Sequence, residues 1–301
     1  MSLGNTIHGS GSFSGNGSFY IQPILPTVFG GTLTSDSTYY YRTFLNNGTL
    51  TVSNANLTAD VLMIAGGGAA VTAGGGAGGL QYLQNQIVTQ GSKNILIGAG
   101  GSLDQWWNAL NGNNTSFDGF DDSIGGGHGA APRDQNGYYT RSRSGANGGS
   151  GGGAEFYGSP GQGISGQGHN GGPVGFTSSG EPVGGGGGAG EEGHPCDQLH
   201  ERNGMWGWQV PFPGGGNGLY FDDFGSATST GEHIDNHYYY AGGGGNSYRN
   251  WTAVGGYGGG GTNHYIGDPT GKPNTGGGAA GGSTGGSGLV IVRYTKQSVG
   301  G

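Results

Sequence analysis

Glycine arrives in blocks, and no other feature of this chain constrains its fold as strongly. The blocks cover residues 65–79, 98–101, 125–130, 145–153, 158–172, 184–190, 214–218, 242–245, 255–261 and 276–288, and glycine supplies 79 of the 301 residues. Each interior glycine costs an α-helix roughly 0.8–1.0 kcal/mol relative to alanine. Hardly any stretch runs ten residues without Gly, Pro or Asn, so almost no α-helix is expected. The fold must come from strands, turns and extended segments.

Polyproline II geometry gives such blocks a way to pack. It has three residues per turn and no internal hydrogen bonds, so every N–H and C=O points outward and needs a partner. Neighbouring helices of the same kind supply partners only where no side chain intervenes, which demands glycine at the facing positions. A central helix wants glycine at all three positions, which fits 184–188 and 258–261; a peripheral one carries side chains outward, which fits 161–168 and the Ala and Ser residues of 276–288. Collagen is excluded, because the blocks keep no every-third-residue register and the chain has only 11 prolines. A disordered linker is disfavoured by 11% aromatic and only 9% charged residues.

Framing the blocks are β-like runs at 39–45, 49–53, 60–65, 80–88, 94–97 and 289–294. Asn46-Asn47-Gly48 reads as a hairpin turn between the first two. Leu289-Val290-Ile291-Val292 is as apolar as Val61-Leu62-Met63-Ile64, which makes the two natural neighbours in one sheet. The expected fold is mainly β: a small antiparallel β-sandwich, jelly-roll-like, from 39–97 plus 289–294, extended by polyglycine II helices and aromatic loops within 65–288. Residues 1–38 read as an amino-terminal arm or attachment segment, and 39–301 as the glycine-rich domain.

A formal charge of −8 with ten scattered basic residues gives no footprint for a phosphate backbone, so nucleic acid is not an expected partner. The longest apolar runs, 61–65 and 289–292, fall far short of a spanning helix, and no membrane insertion is expected. Cys196 alone leaves no internal disulfide framework.

Chemistry-bearing clusters are few. Asp60 to Gly68 begins like a dinucleotide-binding strand and turn, but the helix that should follow is replaced by more glycine. His194, Cys196, Asp197 and His200 match no common zinc spacing, His233, Asp235 and His237 are similar, and Asp118, Asp121 and Asp122 lack the remainder of a calcium loop. Glu191-Glu192 and Asp222-Asp223 are adjacent pairs, which rarely face each other across a scissile bond. No enzyme, metal or cofactor is therefore expected.

Aromatic inserts between the blocks are the strongest binding candidates: Trp106, Trp107, Tyr138, Tyr139, Trp206, Trp208, Phe212, Tyr220, Phe221, Tyr238, Tyr239, Tyr240 and Trp251. Their mixture with Ser, Gly and Asn is that of antibody-like binding loops. About half are expected to fold back over the bundle, which has no side-chain core of its own.

Several of these stretches resemble a known family. Tyr41-Arg42-Thr43-Phe44-Leu45-Asn46-Asn47-Gly48-Thr49-Leu50-Thr51-Val52, Ala59 to Gly68, Gly74 to Leu80, Ile97-Gly98-Ala99-Gly100-Gly101, Asn114-Thr115-Ser116-Phe117 and Gly286 to Tyr294 are similar to the glycine-rich domain of bacteriophage tail and structural proteins, over about residues 40–295. In composition the chain is also similar to the tail-fibre tip adhesins of T-even-like phages. The glycine-rich ectodomain of the anaplastic lymphoma kinase group shows a similar mixture of β-sandwich and polyglycine helices. The phage resemblance implies a virion protein made in the host cytoplasm, recognising a surface polysaccharide or outer-membrane protein through the aromatic loops. It further implies attachment to other virion proteins through residues 1–38 and a homotrimer, and it brings no catalytic residues. A purely structural virion component, such as a fibre-shaft or decoration subunit using the loops for self-assembly, is the alternative expectation.

Overall fold

The computed structural model describes residues 23–105, 107–131, 142–174, 183–195, 214–246, 253–263 and 267–301. Two antiparallel sheets form its frame. One contains β2 (Thr32–Ser35), β3 (Tyr39–Phe44), β5 (Leu57–Ile64), β6 (Leu80–Val88) and β14 (Leu289–Thr295), in the order β2-β3-β14-β5-β6. The other contains β1 (Thr27–Phe29), β4 (Gly48–Ser53), β7 (Gly91–Leu96) and β8 (Ser116–Phe117), in the order β1-β4-β7-β8. As expected from their shared apolar character, β14 lies beside β5, with Leu289 opposite Ile64 and Val292 opposite Val61.

Between the sheets lies one core. Strand alternation aims Leu50, Val52 and Ile95 of the smaller sheet at Val61, Met63, Val290 and Val292 of the larger one, and Phe44 and Phe117 fill the ends. The mainly β sandwich is therefore as the sequence predicts.

Two of its boundaries differ from the sequence reading. Asn46-Asn47-Gly48 is a corner between the sheets and not a hairpin, because β3 already has β2 and β14 on its two edges while β4 has β1 and β7. Asn47 Oδ1 anchors this corner by accepting from the Ile97 N–H at 2.8 Å. The arm assigned to 1–38 is shorter than expected, since β1 pairs with β4 and β2 with β3, inside the frame. Residues 1–22 lie outside the described part of the chain.

Beyond the frame the glycine blocks pack as threefold helices. Along 73–79, the amides of Ala73, Gly76 and Gly79 donate to Ala130, Gly127 and Ile124, those of Gly74 and Ala77 to Gly184 and Gly187, and those of Gly75 and Gly78 to Ala279 and Gly276. Every third residue addresses the same neighbour, as three residues per turn requires. The block at 184–189 repeats the arrangement with three other tracts: Gly184 and Gly187 donate to Ala154 and Gly151, Gly185 and Gly188 to His194 and Glu191, and Gly186 and Ala189 to Gly244 and Ala241. Contact is close enough that a Cβ built on Gly186 would overlap the Gly75 carbonyl oxygen.

Some tracts differ from their expected roles. Residues 258–261 do not form a central helix, because Gly258 and Gly259 sit at φ +104° and +86° in a turn that side chains rarely adopt. Ala279 and Ala280 face inward and are fully buried, although the alanines of 276–288 were expected to point outward. A methyl group is small enough to sit in the gaps between tracts. Near the same bundle β9 (Ser142–Arg143) pairs with β10 (Glu155–Phe156), and the buried Glu155 carboxylate is held by Arg143 Nη1 and by Thr72 Oγ1 at 2.6 Å.

A third layer covers the outer face of the five-stranded sheet. It comprises β11 (Leu219–Tyr220), α1 (Asp222–Thr228), β12 (Glu232–Ile234) and β13 (His237–Tyr240), the strands ordered β11-β13-β12. The acidic pair Asp222 and Asp223 opens α1, where carboxylates complement the helix dipole, and Ser229 in a left-handed conformation closes it. Phe224 of α1 lies edge-on to Tyr41 at 5.9 Å and to Tyr82 at 5.6 Å, clamping the layer to β3 and β6. Gly225 is required there, because a Cβ would overlap the Tyr238 side chain. A short 3₁₀ turn, Gln297–Val299, follows β14.

Candidate functional site

Strand alternation divides the His237-Tyr238-Tyr239-Tyr240 run between two faces. His237 and Tyr239 face outward with Tyr220, which is in register with Tyr239 on the neighbouring strand. Ring centroids lie 4.6 Å apart for Tyr220 and His237, 5.5 Å for Tyr220 and Tyr239, and 5.3 Å for Tyr239 and Tyr257. Four rings thus make one continuous surface, with Tyr220 55% exposed at its edge.

Hydrogen bonds fix this surface. Asp222 Oδ2 contacts His237 Nδ1 at 2.8 Å and Asp222 Oδ1 accepts from the Tyr238 N–H at 2.9 Å, which orients the imidazole. Burial pushes the Asp222 carboxyl up, but the Tyr238 amide and His237 outweigh it and hold it below the ordinary carboxylate range. Glu232 Oε2 accepts from the Gly258 and Gly259 amides, pinning the turn next to Tyr257. Burial, with Tyr257 and Tyr220 nearby, raises the Tyr239 phenol above its usual value.

On the opposite face the same run is scaffold. Tyr240 is 0% exposed, its hydroxyl 2.8 Å from Thr230 Oγ1, and burial pushes its phenol well above the ordinary range. Its place among the receptor-binding candidates is therefore corrected: no part of the ring reaches the surface. Tyr238 packs against His233 at 4.6 Å, and Phe221 packs on Tyr82 at 5.2 Å, so both brace the layer. His237 and Tyr257 were not among the aromatic binding candidates: the sequence offered His237 only as a possible metal ligand, and Tyr257 stands alone inside a glycine block.

Trp107 stands apart and is 65% exposed. It sits at φ +63° on a tight turn where Asp104 accepts from the Trp107 amide at 3.0 Å and from Asn108 through both carboxylate oxygens. Trp106, Tyr138, Tyr139, Trp206, Trp208, Phe212 and Trp251 lie outside the described residues.

The acidic pairs diverge. Glu191 accepts from the Asn217 amide and lies near His194, whereas Glu192 accepts from Asn170; Asp222 serves His237, whereas Asp223 reaches Arg293. His233 and His237 face opposite sides of their hairpin. Among the described residues no group of three or more His, Cys, Asp or Glu side chains is placed to hold a metal, and Cys196, Asp197 and His200 lie outside them. The segment after β5 continues into the glycine bundle with no helix, so no dinucleotide cradle forms. No helix among the described residues is long and apolar enough to cross a membrane.

Fold and surface together define a class: a β-sandwich extended by a polyglycine II bundle, with an aromatic face on the layer that covers its larger sheet. The family described as "Glycine-rich domain" matches residues 43–295, and the chain belongs to it. Comparison with curated proteins and with solved structures gives no match.

Proposed function

We propose that this chain is a non-enzymatic recognition protein of a bacteriophage virion, a tail-fibre or tip component that contacts the host surface through aromatic side chains held on the polyglycine bundle. The observation that carries this reading is the four-ring surface of Tyr220, His237, Tyr239 and Tyr257, fixed to a hydrogen-bonded scaffold. Rigid aromatics give large contact area at low entropic cost, and flat ring faces suit both saccharides and protein loops. Trp107, displayed on its own turn, extends the same logic to a second point.

Labelled full-length protein applied to a panel of bacterial strains tests the reading. It is expected to coat a susceptible strain and block phage adsorption there, and Tyr220→Ala with Tyr239→Ala is expected to abolish both while leaving the thermal transition in place. Trp206→Ala and Trp208→Ala test the connecting segment in the same assay. Self-association that disappears in the tyrosine variants, with no cell binding by the parent protein, would favour a structural virion subunit and overturn the adhesin reading.

A further inference from the structure

A groove of about 410 Å³ opens on the side of β11 away from Tyr220, between the start of β6 and the turn at 163–170. Its apolar floor is formed by Leu80 and Leu219, and its polar wall by His169, Asn170, Glu192 and Gln167. This volume lies within the range that small-ligand sites occupy.

The wall is preorganised. Asn170 Oδ1 accepts from the Gly163 amide at 3.0 Å, which fixes the side-chain amide and aims its NH₂ at Glu192 Oε1, 3.2 Å away. One Asn170 N–H and the remaining Glu192 lone pairs then lie side by side, a donor next to an acceptor. The backbone beneath is equally fixed, since the His169 amide donates to Gly188 and its carbonyl accepts from Gly151. Gln167 is spent on structure, bonding the Ile124 amide through Oε1 and the Asp122 carbonyl through Nε2.

The character of the lining selects the ligand. Among the described residues no Lys or Arg lines the groove and Glu192 brings a negative charge, which disfavours phosphates, sulfates and carboxylates. No Phe, Tyr or Trp lines it, so nothing stacks on a planar base. Adjacent donor and acceptor above an aliphatic floor match a vicinal diol whose ring carbons rest on Leu80 and Leu219. We infer that this groove is a binding site for an uncharged saccharide, separate from the aromatic surface and independent of the virion reading.

Saturation-transfer NMR on the full chain with maltose, lactose and α-mannobiose, and with glucose 6-phosphate as the anionic comparator, tests this. At least one neutral disaccharide is expected to bind in preference to the phosphate, with affinity reduced about tenfold or more in Glu192→Gln and His169→Ala. Both side chains are exposed, so these variants keep the fold; Asn170→Ala, which also removes the Gly163 acceptor, is a further check accompanied by a thermal melt. Absence of binding by all three disaccharides, preference for the phosphate, or binding that ignores Glu192 and His169 but falls in Tyr220→Ala would overturn the assignment. The last outcome would leave the aromatic-surface reading intact, whereas groove binding unaffected by Tyr220→Ala separates the two sites.

Discussion

Arg293 of β14 donates from Nη2 to Asp60 Oδ2 of β5 at 2.6 Å, and the two residues are also directly opposite in the strand register. Asp60 sits where the β5–β6 register shifts, and its second oxygen accepts from the Asn85 amide at 2.8 Å. Arg293 is 9% exposed; it also reaches Asp223 and the Tyr82 hydroxyl, and its guanidinium lies over the rings of Tyr39 and Phe224. One cation thus ties the carboxy-terminal strand to two layers. Replacing Asp60 by Asn keeps the Asn85 bond but leaves the buried guanidinium only the longer ionic contact with the exposed Asp223, and a loss of roughly 2–3 kcal/mol is expected. Urea denaturation of Asp60→Asn and Arg293→Met checks this, the latter costing less than Arg293→Ala because methionine keeps the aliphatic packing.

Gly186→Ala is expected to lower stability by more than about 3 kcal/mol, because the added methyl meets backbone that cannot rotate away. Gly282 provides the contrast: at φ +74° with open space around its Cα, it should accept Asn at a cost of about 1 kcal/mol. Equal melting temperatures for the two variants would contradict the packing described for 184–189.

Amide exchange reads the same packing without mutation. The N–H groups of Gly74, Gly75 and Gly76 each bond a different tract, so all three should exchange only through unfolding of the bundle. Exchange at the rate of a free linker at these positions would rule out the threefold arrangement.

Acid should weaken the protein through identifiable carboxyls. Burial pushes Asp36 up, but the Tyr41 hydroxyl and the Tyr39 and Thr38 amides outweigh it and leave it below its ordinary value of 3.8; Asp222 is lowered likewise. A depressed folded-state pKa contributes stability that is present above 3.8 and lost as pH falls through the folded value. Denaturation midpoints measured from pH 6 down to pH 2.5 (roughly the span of such carboxyls) should fall, and fall less in Asp36→Asn with Asp222→Asn.

Alkali acts through Tyr240. Burial raises its phenol above the ordinary value of 10.0, so its contribution is complete below that value and disappears as pH rises toward the folded one. Absorbance titration at high pH should show Tyr240, together with the likewise buried Tyr41, ionising only with unfolding, and Tyr240→Phe should reduce the amplitude of that step at the expense of the Thr230 hydrogen bond.

Much of the frame was legible because strand signals are local. Val61-Leu62-Met63-Ile64 and Leu289-Val290-Ile291-Val292 have no polar face, so each needs cover on both sides, and pairing them satisfies both. The bundle was legible because backbone polar groups without side chains have few other partners. What was missed depends on tertiary competition. Asn46-Asn47-Gly48 carries a hairpin sequence, yet both flanking strands find other edges; Asp222-Asp223 reads as a carboxylate pair until α1 turns one toward His237 and the other toward Arg293. At the aromatic surface, Tyr239 and Tyr240 look equivalent in sequence, and only the layer beneath decides which is buried.

The threefold addressing of 73–79 restricts how such a chain changes its length. Inserting one residue would rotate every later amide by a third of a turn and present it to the wrong neighbour, whereas three added residues restore each assignment one turn further on. Insertions and deletions are therefore channelled into the connecting segments, and the bundle passes unaltered beneath a surface free to diversify.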